Sequence, residues 1–221
     1  MRTIRVTAFD WVPAFAQGQV RDLRVRWALE EAGLPYEAIL LDQGTQGDPE
    51  NLARQPFGQV PALEIDGRTL FESGAIVWRI AEESEALLPA DPAARERVLC
   101  WLLASLNSVE PPVGALADLD FFVADEGVKA AQRPGALAAV QARLGQLQAA
   151  LGKADALVDR FSAADLMMTS VLRILDHTDI LAGFPALARY VERHTARPAF
   201  RKALADQMRP FRENAARYEA A

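Results

Sequence analysis

Residues 62–71 constrain this chain more than any other stretch. Ala62 to Ile65 and Arg68 to Phe71 are short runs with apolar residues on either side of Asp66-Gly67. That dipeptide suits the positive φ angles of a two-residue hairpin, so the spacing predicts two antiparallel strands. Directly afterwards stand Glu72 and Ser73, and then Ala75, Ile76, Ile80 and Ala81 recur at helical spacing. A helix is therefore predicted to open at Ser73, which puts two polar side chains where a strand hands over to a helix N-terminus.

The first N–H groups of a helix lack internal partners and carry the positive end of its dipole. A small carboxylate is stabilised there. The Ser73 hydroxyl can donate to the same carboxylate while Glu72 accepts from an ammonium group beside it, which would suit an amino-acid-like ligand end. The alternative is purely local: Ser73 caps the helix and Glu72 is an acid next to the cap.

Val60-Pro61 lies just ahead of the first strand of the hairpin. Proline lacks an N–H and sits at strand starts, edges or bulges, and a proline in this place is a candidate for a cis bond. With Val60 extended before it, the Val60 N–H and C=O face outward and can pair with a peptide ligand as a further strand would.

Residues 58–63, Gly-Gln-Val-Pro-Ala-Leu, followed by Glu72-Ser73, resemble the glutathione-binding half of the cytosolic glutathione transferases, whose N-terminal domain has the thioredoxin fold. The resemblance implies that Val60 pairs with the cysteinyl backbone of glutathione, that Pro61 is cis, that Glu72 and Ser73 hold the γ-glutamyl end, and that Gln59 lies near the tripeptide. It also implies glutathione as a substrate, a small hydrophobic electrophile as its partner, and a homodimer in which the first domain of one subunit meets the second domain of the other.

The rest of the chain fits an α/β unit followed by an all-α one. Ile4, Val6 and Ala8 alternate as in a strand, a helix runs to about Ala32 and stops at Gly33, and residues 36–41 read as a second strand. Strand, helix, strand implies a parallel pair with a crossover. Asp48-Pro49 opens a short helix over 51–54. The expected domains are 1–82, thioredoxin-like, and 93–221, all-helical, with 83–92 as linker. Helices are expected over 93–110, 137–151, 163–175, 186–195 and 199–208, with Pro111-Pro112 breaking or bending the first. Ser162 with Asp165 forms a variant capping box, a stability element. That box and Arg197-Pro198-Ala199-Phe200 carry the resemblance into the second domain.

Charge and composition exclude several functions. The net charge of −6 argues against nucleic acid or an anionic membrane as a main partner. No stretch approaches the roughly 18–20 apolar residues of a membrane span, and residues 1–9 lack a signal-peptide core, so a cytoplasmic location is expected. Cys100 is the only cysteine. That rules out an internal disulfide, a Cys-x-x-Cys pair and a multi-cysteine metal site, and its apolar neighbours predict a buried structural thiol. His177 and His194 lie far apart, and Asp118 and Asp120 do not share a helix face, so no metal is expected.

The chemistry poses a sharper question. A glutathione thiol with a pKa of about 8.5 is only roughly 3% thiolate at pH 7, and lowering that pKa by two units requires about 2.7 kcal/mol of preferential anion stabilisation. The family resemblance implies a Tyr, Ser or Cys for this task near the end of the first strand or the start of the first helix. Residues 8–35 contain no hydroxyl and no thiol. The groups at hand are the helix N-terminus, Arg21 as an added positive charge, and Gln17 or Gln19 as donors. Arg21, Arg24 and Arg26 read equally as a solvated helix face. Trp11 and Phe15, with Asn107 and Phe121 from the helical part, are candidates for a second-substrate pocket, and Trp11 and Phe15 also fit ordinary packing. Two classes of function follow: a glutathione transferase, or a glutathione-binding or interaction protein on the same fold without efficient catalysis.

Overall fold

The computed structural model describes residues 3–42 and 44–219. The outer ends of the expected domains, 1–2 and 220–221, and Gln43 in the loop after the second strand lie outside the described residues. The chain divides into two compact units, one of Met1–Leu87 with Arg197–Ala221 and one of Leu88–Ala196.

The first unit is built on a four-stranded sheet in the order β2-β1-β3-β4. Strands β1 (Ile4–Phe9) and β2 (Glu37–Leu41) are parallel, joined through helix α1 (Asp22–Ala32). Strands β3 (Ala62–Ile65) and β4 (Arg68–Phe71) form the hairpin, with Asp66 at φ 52° and Gly67 at φ 70° supplying its turn. β3 runs antiparallel to β1 with Val6 opposite Leu63. The residues just before β3 therefore lie toward the C-terminal end of β1, where the loop 10–21 begins. Helix α1 stops at Gly33, whose φ of 65° needs no Cβ to be accommodated. The short helix α2 (Pro49–Arg54) carries proline in its first turn, and α3 (Ser73–Ala81) follows β4 without a connecting loop. Ile4, Val6, Leu63 and Ile65 from the sheet and Leu23, Trp27, Ile76 and Ile80 from α1 and α3 are buried.

Helix α9 (Pro198–Glu219) belongs to this unit. It was expected to end near residue 208 and to sit with the other helices of 93–221. Instead it runs through Pro210 and packs along α1. Phe200 meets the Trp27 ring edge-on at 4.9 Å, Arg197 holds Glu31 through two bonds of 2.6 and 2.8 Å, and Gln207 donates to the buried Asp22 at 2.6 Å.

The second unit is helical, with α4 (Pro92–Ala104), α5 (Glu110–Phe122), α6 (Glu126–Leu151), α7 (Ala163–Leu172) and α8 (Pro185–Thr195). Val113, Leu116, Val140, Leu144, Met168, Leu172 and Leu187 form its core. Pro111 and Pro112 do not break the chain of helices. They fall in the first turn of α5, where a missing N–H costs nothing, and the wide turn Ser105–Val109 absorbs the misfit ahead of them. The capping box is present: Asp165 accepts from Ser162 N at 2.9 Å, and also from Leu157 N and the Tyr190 hydroxyl, each at 2.8 Å. Cys100 is exposed, contrary to expectation. Val98 and Leu102, four apart, face the core, and helical geometry turns the residue midway between them outward.

Candidate functional site

The handover from β4 to α3 has an unusual backbone. Glu72 holds φ 68° and ψ 114°, a conformation costing an ordinary residue on the order of 1–3 kcal/mol. Its side chain is exposed and has no partner among the described residues. Ser73 is 6% exposed, and its Oγ accepts from Arg24 Nη1 at 3.3 Å. The first backbone bond of α3 runs from Ile76 N to Glu72 O at 3.0 Å, so the N–H groups of residues 73–75 have no partner within the helix.

Val60-Pro61 is cis. The loop that contains it is tied to the sheet by a 2.7 Å bond from Ala62 N to the buried Thr7 Oγ1. Val60 is 8% exposed and Gln59 is exposed. Among the described residues neither the N–H nor the C=O of Val60 has a hydrogen-bond partner.

The loop 10–21 is shaped by α9. Tyr218 donates its hydroxyl to Asp10, 2.9 and 3.1 Å from the two carboxylate oxygens, and its ring stacks on Trp11 at 4.8 Å and 7°. Arg217 Nη1 reaches Asp10 at 3.2 Å, and Asn214 donates to the Asp10 carbonyl at 3.3 Å. Burial and the bond to Asp10 push the Tyr218 hydroxyl up from its ordinary pKa, so it stays a neutral donor committed to Asp10. Trp11 is half-buried, with Nε1 covered, and Phe15 is exposed.

Arg21 is exposed at the start of α1. The solvated face expected of Arg21, Arg24 and Arg26 is corrected for the latter two, which are 4% and 3% exposed. Both sides of the first two turns of α1 are covered, and Arg26 is held by Asp22 at 2.6 Å. Burial pushes the Asp22 carboxyl up against the pull of Arg26.

In the helical unit, Asn107 is exposed in the wide turn before α5, and Phe121 packs its ring on His177 at 4.6 Å. His194 is buried against Tyr190 and Phe161. No cluster of three or more His, Cys, Asp or Glu suited to a metal occurs among the described residues. None of their helices is long and apolar enough to cross a membrane. Two features escaped sequence reasoning: Arg24, indistinguishable from its neighbouring arginines, and the α9 residues that organise the loop 10–21, which no local pattern marks.

Residues 9–82 match the profile described as Glutathione S-transferase, N-terminal domain, and residues 115–198 match Glutathione S-transferase, C-terminal domain. A relative named Glutathione S-transferase 4 from Zea mays is 30% identical over 81% of this chain and 85% of its own. One named Maleylacetoacetate isomerase from Rhizobium meliloti is 30% identical over 85% of this chain and 92% of its own. A Burkholderia graminis glutathione transferase, solved with two glutathione molecules bound per subunit, superposes with a TM-score of 0.79 at 27% identity, covering 91% of this chain and 87% of that one.

Proposed function

The chain belongs to the glutathione S-transferase family, and from that premise we propose that it binds glutathione through Gln59, Val60, Pro61, Glu72 and Ser73 and presents the thiol to a small hydrophobic electrophile. Domain 1–82 holds the tripeptide in this reading. The γ-glutamyl carboxylate takes the Ser73 hydroxyl and the free N–H groups of α3, its ammonium group faces Glu72, and the cysteinyl backbone pairs with Val60. The observation that carries the reading is Glu72 at φ 68° beside the buried, Arg24-bonded Ser73. A strained residue is retained where the surroundings demand it, and a helix start that needed only a cap would not demand it.

β1 and β3 are antiparallel, so a cysteinyl group lying along Val60 has the loop 10–21 beside it. The N-terminal turn of α1 and the positive charge of Arg21 lower the thiol pKa there, and Trp11 and Phe15 contribute apolar surface for the electrophile. The same reading includes a homodimer and a cytoplasmic location. Phe57, 69% exposed with its ring edge toward Phe71, is an apolar feature that a second copy would cover.

A second reading, glutathione binding without efficient catalysis, is favoured by one observation. Residues 8–35 offer no hydroxyl or thiol, and the Tyr218 hydroxyl is donated to Asp10. Ultraviolet titration of the bound thiol separates the two. A pKa at least about one unit below the free value of about 8.5 supports the transferase, and an unshifted value supports the binding protein.

A further inference from the structure

We propose that Arg24 is a positioning residue of the glutathione site: its guanidinium, set behind Ser73, turns the serine hydroxyl toward the ligand and makes that corner selective for a carboxylate. The inference rests on the glutathione reading above and adds a residue and a selectivity to it.

Arg24 lies on α1 and Ser73 opens α3, and their side chains meet although the residues are 49 apart in sequence. Both are nearly buried, at 4% and 6% exposure. A guanidinium has five N–H donors and no acceptor, so in the 3.3 Å contact Ser73 Oγ must be the acceptor. A hydroxyl carries one proton, and with a lone pair engaged by Arg24 that proton is left to donate elsewhere. Ser73 thereby becomes a donor of fixed direction rather than a free rotor. This distinguishes it from an ordinary helix cap, in which the serine oxygen accepts from the helix's own N–H groups; here Glu72 holds the cap position and Ser73 Oγ accepts from Arg24.

Charge points the same way. The N–H groups of residues 73–75 present the positive end of the α3 dipole, and the guanidinium brings a second positive group to the same oxygen. A carboxylate gains more from such donors than a neutral group of the same shape does.

The test is a cycle of two ligands and two proteins, read by calorimetry. The ligands are glutathione and its analogue lacking the glutamyl α-carboxylate, γ-aminobutyryl-cysteinyl-glycine. The unmodified protein is expected to prefer glutathione by at least about tenfold, and Arg24→Gln to compress that preference to about threefold or less. In Arg24→Lys, which keeps the charge without the planar fork, the preference is expected to lie between these values, and this variant alone decides the matter if the Gln variant does not fold. If Arg24 only braces the two helices, both ligands weaken together, the ratio is unchanged, and the inference is overturned while the glutathione reading stands. If the unmodified protein binds neither ligand saturably, the glutathione reading falls and takes the inference with it.

Discussion

In the proposed reading two parts of the first unit would meet a bound glutathione, one at its γ-glutamyl end and one at its thiol, and they are built in opposite ways. The corner at Glu72 and Ser73 is local. A hairpin of ten residues delivers it, a positive φ turns the chain, and a helix begins at once. The loop 10–21 has its shape imposed from far along the chain, by Asn214, Arg217 and Tyr218 on α9. The comparison teaches that the backbone of the corner is set locally, with one distant side chain, Arg24, behind Ser73, whereas the shape of the loop depends on several side chains brought in by a distant helix.

Four experiments put that contrast at risk. The largest effect is expected from Ser73→Ala, which removes a hydrogen bond to a charged group. Glutathione affinity measured by calorimetry should fall by about 1.5–3 kcal/mol, more than tenfold. Equal affinity in the variant would remove Ser73 from the site.

Next is Asp10→Asn, which weakens the clasp of α9 on the loop. Urea unfolding should show a loss of about 1–2 kcal/mol, because the bonds from Tyr218 and Arg217 lose their charged acceptor. Glutathione affinity should stay within about twofold of the unmodified protein, since the corner is built separately. A fall as large as that of Ser73→Ala would show that the two regions are one.

Arg21→Ala addresses the sulfur end alone. The bound thiol pKa, read by ultraviolet titration, should rise by roughly half a unit to one unit with little change in affinity. No change would assign thiol activation to the helix N-terminus without help from Arg21.

The smallest effect lies outside both regions and serves as a control. Bonds from Arg133, and then His177, hold the Asp120 carboxyl below its ordinary pKa. A lowered folded pKa stabilises the fold above the unfolded value and is lost as pH falls through the folded one. Asp120→Asn should therefore flatten the loss of stability below about pH 4 in urea titrations. Glutathione affinity at neutral pH should be unaltered.

The same contrast explains what the sequence made legible. Both turn residues of the hairpin, the start of α3 and the Ser162–Asp165 box have all their determinants within a few residues, and each stands where the spacing predicts it. Cys100 was misread because apolar neighbours were weighed without the phase of the helix, which Val98 and Leu102 set. The last helix was expected over 199–208 only, yet α9 continues through Pro210, held by packing along α1 and by the Asn214 bond to the Pro210 carbonyl. Arg24 carried no signal of burial, since its partner Ser73 meets it only once α1 and α3 are packed; Asp22 and Arg26 have the spacing of a pair within one helix, but their burial shows only once α9 brings Gln207 to Asp22.

A crystal structure of the protein with glutathione would show whether the corner and Val60 hold the tripeptide. The glutamyl carboxylate is expected about 2.7 Å from Ser73 Oγ and the cysteinyl backbone paired with Val60. A tripeptide bound in another orientation, with Ser73 and Val60 still unoccupied, would contradict it.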